Sequence, residues 1–172
     1  RNHFMNQQSF PPGKLPHGIL SRFIRDYTDQ DPRLIVPPAL GEDAAVIDFG
    51  DRYLVAKTDP ITFATDAIGW YAVNVNANDI AAMGATPRFF MATLLLPEGQ
   101  AKPAQVESIF RSIHEAATQL DIAVCGGHTE ITRGIDRPIV VGQMLGEVSP
   151  AALVRSSGLQ PGDRLILTKG LA

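Results

Sequence analysis

The chain has a single cysteine, Cys125, among 172 residues, so no disulfide can form within it. That excludes the stapled scaffolds of small secreted domains and points to a reducing compartment, with the cytoplasm as the expected location. Long apolar runs are also lacking. None approaches the roughly 20 residues needed to cross a bilayer, and the opening RNHFMNQQ has no apolar stretch of the kind a signal peptide needs. Positive charge is not in excess. Fifteen Lys and Arg stand against eighteen Asp and Glu, a formal net charge of −3, which gives no electrostatic footprint for nucleic acid or an anionic membrane. Three catalytic signatures are missing: GxxxxGK[ST], GxSxG and HExxH. What remains is an ordinary globular mixture, 45% hydrophobic and 19% charged, of a length that suits one sizeable domain.

The pattern along the chain is mixed. SFPPGKLPHG, residues 9–18, is rich in Pro and Gly; residues 1–13 are expected to be a disordered segment or tag remnant, with Met5 a possible native start. ILSRFIRDY has helical apolar spacing, and residues 28–41 read as a polar, Pro-rich loop. AAVIDF and RYLVAKT read as strands joined at Gly50-Asp51. Residues 68–83 predict a helix stopped by Gly84 and Pro87. RFFMATLLLP predicts a strand covered on both faces. Between Pro103 and Leu120, Val106, Ile109, Phe110, Ile113, Ala117 and Leu120 form one helical stripe. IAVCGG and PIVVGQMLGEV complete the strands. The order predicts an α/β fold of the α+β sandwich kind, with helices on one sheet face and the other face left for a second copy. GDRLILTKGLA reads as a turn, a strand from Arg164 and a turn at Gly170. Residues 14–160 are thus expected to form one domain, and residues 161–172 to begin another.

Four places carry groups capable of chemistry. Glu42 and Asp43 precede the first predicted strand; adjacent acids repel unless they are solvated or bound to a cation, and solvation suffices for this pair alone. Asp59, before Pro60, reads equally as an Asx-turn cap or as an acid presented at a strand end. Asn74, Asn78 and Asp79 interrupt an otherwise apolar helix, where such residues need partners. Gly126, Gly127, His128, Thr129 and Glu130 follow a predicted buried strand. They read as a flexible turn, or as a loop whose glycines let backbone N–H groups approach an anion. Together, carboxylates suited to Mg²⁺ and a Gly loop suited to phosphate describe a nucleotide site. Lys14 reads as a cation able to close over phosphates or as a solvated lysine.

The series GEDAAV, TDPIT, VNANDIAAMGATP, GGHTE and GDRLILTKGLA, in that order, resembles the aminoimidazole ribonucleotide synthase superfamily, specifically its N-terminal domain, over roughly residues 14–172. The superfamily includes that synthase, the hydrogenase maturation factor that forms the nitrile ligand, thiamine-monophosphate kinase and selenophosphate synthetase. AVNVNANDIAAMGATPRFF is closest to the maturation factor. The resemblance implies a four-stranded mixed sheet, two copies of which pair into an eight-stranded barrel. It implies ATP and Mg²⁺ bound near the homodimer interface, and an enzyme that phosphorylates or activates an amide-type oxygen of a small molecule or carrier cysteine. A kinase-like phosphotransferase and a non-catalytic nucleotide-binding dimerisation module are the alternatives. By position, the resemblance implies metal ligands at Asp43, Asp59 and Asp79, with Glu42 in place of a more usual Asp. It implies cofactor contacts at Lys14, Asn78, Gly126, Gly127, His128 and Thr129. His128 stands where the kinase and the maturation factor carry Asp, and Glu130 is the carboxylate that would replace it.

Overall fold

A computed structural model describes residues 9–64 and 66–167. Its elements run α1 (His17–Tyr27), β1 (Leu34–Val36), β2 (Ala45–Asp48), β3 (Tyr53–Ile61), α2 (Ile68–Ala82), β4 (Thr86–Pro97), α3 (Pro103–Gln119), β5 (Ala123–Thr132) and β6 (Ile139–Val148), followed by a 3₁₀ turn at Pro150–Ala152. One mixed sheet holds all the strands in the order β1-β2-β3-β6-β4-β5. All pairs are antiparallel except β4 with β5, which are joined through α3 as a parallel crossover requires.

The sheet therefore has six strands, where four were expected. β3, β6, β4 and β5 are the long ones; β2 and the short β1 extend the β3 edge. β1 lies inside the stretch read as a loop. It forms because Leu34 and Val36 find rungs opposite Ile47 and Val46. No strand begins at Arg164: residues 163–167 have no regular structure, and Leu165, Ile166 and Leu167 are exposed. Lys169 and Gly170 lie outside the described residues.

The core lies on one side of the sheet. α2 packs over β3, β6 and β4, and α3 packs beside α2 and over β5. Gly69 makes this close crossing possible, since a Cβ there would lie 2.8 Å from the Ile109 carbonyl oxygen. Phe90, Leu94 and Leu96 of β4, with Val140 and Met144 of β6, are almost completely buried beneath the helices. The alternate residues Met91, Thr93 and Leu95 are only half-buried, and Phe89 is 44% exposed. β4 is thus covered on one face rather than two, because no helix crosses the other.

α1 forms where its spacing predicts, but none of its residues is buried. Among the described residues, no helix is long and apolar enough to cross a membrane.

Candidate functional site

The register sets the geography of the site. Asp59 pairs with Gly142, Gly142 with Ala92, and Ala92 with Gly127. These residues form one row across β3, β6, β4 and β5, three strand steps or roughly 14 Å long. Residues opposite one another share a face, so Lys57 and Asp59 point to the helix side, as does Gly127. His128 and Glu130, one and three residues further along β5, point to the open side. The acids read as one group are therefore divided between the two faces of the sheet.

On the helix side, one cation lies between two acids. The Lys57 Nζ is 2.8 Å from an Asp79 carboxylate oxygen and 3.5 Å from one of Asp59, with its own side chain only 16% exposed. Burial alone would lower the Lys57 pKa. The hydrogen bond and charge of Asp79, together with the charge of Asp59, outweigh it and hold the ammonium above its ordinary value. Lys57 thereby ties β3 to α2 at the acids themselves.

Beside this bridge sits Asn76, the one fully buried polar residue among those described. Its side-chain oxygen accepts from the Asp59 N–H at 2.9 Å, and its amide donates to the Asp59 carbonyl at 3.3 Å and the Ala72 carbonyl at 2.8 Å. Gly142 leaves the necessary room: a Cβ there would lie 2.3 Å from the Asn76 amide nitrogen. Asp59 is consequently not a turn cap. β3 continues through it to Ile61, with Pro60 opposite Val141. Neither Lys57 nor Asn76 stood out in the sequence, although the signal for Asn76 was present. It falls four residues from both Ala72 and Ile80, on the most buried stripe of α2.

The other candidates are dispersed. Asp43 is exposed, two residues before the rung that joins Ala45 to Ala56. Glu42 accepts a hydrogen bond from the Ser156 hydroxyl at 2.8 Å; its other carboxylate oxygen is buried and, among the described residues, has no partner. Asn78 is exposed, and Asn74 donates to the Trp70 carbonyl in its own helix. Lys14 is exposed ahead of α1.

GGHTE is strand, not loop. Parallel pairing with β4 continues through Gly126–Thr132, so on this edge strand the backbone groups of alternate residues are used in the ladder. Gly127 is required by this contact: with φ +151°, a Cβ would lie 2.0 Å from the Ala92 carbonyl oxygen. Gly126, Gly127, His128 and Thr129 line one wall of a cleft of about 200 Å³, opposite Phe110 and Ile113 of α3. On the open side, His128 Nε2 lies 3.0 Å from Glu130, and the Thr132 hydroxyl donates to the other Glu130 oxygen at 2.8 Å. These two bonds hold the Glu130 carboxyl below the usual carboxylate range.

Whether the residues suit a magnesium ion can be judged from the donors. No three His, Cys, Asp or Glu side chains converge among the described residues. Yet Asp59 and Asp79 supply hard oxygens and already share a cation, the Lys57 ammonium. This pair fits a hard divalent ion.

The model of the family described as AIR synthase related protein, N-terminal domain, matches residues 41–148. A protein of Methanocaldococcus jannaschii, provisionally named a hydrogenase expression/formation protein, is 33% identical over 132 residues, covering 74% of this chain and 39% of its own length. The selenide, water dikinase of Dechloromonas aromatica is 31% identical over 166 residues, covering 92% of this chain and 46% of the dikinase. The chain spans less than half the length of both relatives. Among solved structures, the hydrogenase maturation protein HypE in complex with ATP matches with a TM-score of 0.59 at 25% identity. That match covers 88% of this chain and 45% of the HypE chain.

Proposed function

The chain belongs to the AIR synthase related family, as its N-terminal domain, and from that premise we propose that it is the nucleotide-binding, dimer-forming half of an ATP- and Mg²⁺-dependent enzyme. The observation that carries this reading is the Lys57 bridge: β3 and α2 already hold one cation between the carboxylates of Asp59 and Asp79. Support for the nucleotide comes from relatives whose names state phosphoryl transfer or bound ATP.

Asp59 and Asp79 are the residues that would hold Mg²⁺, with Asp43 and Glu42 as further acids; Glu130, on the open face of the sheet, is not among them. Charge neutralisation on a transferred phosphoryl group is what the ion supplies when bound. Lys14, Asn78 and the row from Gly126 to Thr129 would meet the nucleotide. The reaction is phosphorylation or activation of an amide-type oxygen on a small molecule or carrier cysteine. The dimer forms through the open sheet face, where Phe89, Met91, Leu95 and Leu145 are half-buried or exposed.

Calorimetric titration with Mg·ATP tests this. Asp59→Asn and Asp79→Asn should each weaken binding by about tenfold or more; affinity equal to wild type in both sinks the metal assignment. A second reading, a nucleotide-binding dimerisation module without turnover, is favoured by the fact that no three acids converge among the described residues. It predicts Mg·ATP binding without ATP consumption when substrates of the family are supplied to the whole enzyme.

A further inference from the structure

Lys57 stands out from the other groups at this site because it is a cation where the proposed chemistry needs room for one. Its ammonium lies within 2.8 Å of Asp79 and 3.5 Å of Asp59, and its side chain is mostly buried against α2. Asn76 clamps the backbone of Asp59 from both sides, so Asp59 cannot retreat from the lysine. A divalent ion held by the same two oxygens would face a like charge a few ångströms away, a repulsion that this half-buried setting screens poorly. Lysine differs from the rest of the cluster in mobility, since its four-carbon stem can swing the head group while β3 and α2 stay in place.

We propose that Lys57 is a tethered counter-ion that phosphates must draw away before a divalent ion can occupy the Asp59–Asp79 pair, so that the site selects metal arriving as a nucleotide complex over free metal. This rests on the nucleotide reading above. Free metal must displace the ammonium with nothing to receive it. Metal arriving with a polyphosphate brings anionic oxygens that give the displaced ammonium a new partner. Lys57 is thus a positioning residue that couples the two ligands.

The test uses Mn²⁺ as the probe, with its free concentration read by electron paramagnetic resonance, with and without a non-hydrolysable ATP analogue. Wild-type chain should bind Mn²⁺ alone weakly and about tenfold or more tightly with the analogue, after correction for chelation in solution. Lys57→Gln and Lys57→Met should bind Mn²⁺ alone about tenfold more tightly than wild type and lose most of the coupling. Wild-type Mn²⁺ affinity that is already tight without nucleotide overturns the proposal, with no variant needed. Unchanged or weaker Mn²⁺ binding by the variants overturns it as well. If Asp79→Asn leaves analogue binding and its metal dependence untouched, the assignment of the metal to this pair falls along with it; if wild type binds no analogue at all, the nucleotide reading falls. If Asp79→Asn abolishes that dependence while Lys57→Gln changes nothing, only the role of Lys57 falls.

Discussion

The side-chain amide of Asn76 closes on both backbone groups of Asp59, accepting from its N–H at 2.9 Å and donating to its carbonyl at 3.3 Å. A side chain in the core of α2 thus substitutes for a neighbouring strand and holds one residue of β3 in register with the helix. The acid so fixed is the one that shares Lys57 with Asp79, also of α2. Structure and site are joined at this point.

Asn76→Ala should therefore cost more than a surface change. It removes the buried partner of the Asp59 N–H and leaves a small void, and a loss of about 2–4 kcal/mol is expected. Urea denaturation followed by circular dichroism measures it. A loss below about 0.5 kcal/mol, the scale of ordinary surface substitutions, would show that the clamp contributes little.

Gly142→Ala probes the same clamp from the opposite side. The added methyl would sit 2.3 Å from the Asn76 amide nitrogen and 2.9 Å from the Phe90 ring, so overpacking of about 1–3 kcal/mol is expected. The double variant Gly142→Ala/Asn76→Ala should cost less than the sum of the two, because the small side chain makes room for the methyl. Strict additivity would argue that the two positions do not touch in solution.

Lys57 sets a pH dependence whose sign is fixed by the direction of its shift. Its pKa in the folded chain is raised above the ordinary 10.5. The stabilisation it contributes is fully present below pH 10.5 and is lost as pH rises through the folded value. Wild type should therefore lose stability above that pH relative to Lys57→Met, with the two curves running parallel at lower pH. Parallel curves throughout the alkaline range would mean that the ion pair does not stabilise the fold.

The pair formed by His128 and Glu130 makes the opposite point. Both side chains are largely exposed, so His128→Ala should change stability by less than about 0.5 kcal/mol. Should thermal denaturation show a large loss, His128 would be buried in an assembly rather than open to water.

The open sheet face yields a prediction about assembly. A charge at Phe89 or Leu145, directly opposite one another on β4 and β6, should block face-to-face pairing of two copies. Sedimentation velocity on Leu145→Glu should then show monomer where wild type shows dimer. A dimer that survives this substitution uses another surface.

Local patterns were enough to locate much of this chain. The stripe of α3 reports a helix through its spacing of 3.6, and the short unbroken apolar run of β4 reports a strand, both of which depend only on near neighbours. The motif acids could likewise be located from the sequence, because they punctuate those elements. Other features required the tertiary structure. β1 exists only because β2 offers it rungs, and GGHTE is strand only because β4 lies alongside to pair with it. Lys57 and Asp79 meet across 22 positions because β3 packs against α2, and no spacing in the sequence encodes that contact. Asn74, Asn76 and Asn78 look interchangeable along the chain. Helix phase alone buries Asn76, and only the position of β3 provides the backbone it holds. The sequence by itself located most of the helices and long strands and the acids that are available. The tertiary structure decided which face each acid takes and which cation it meets, since strand register and helix docking are set by contacts distant in sequence.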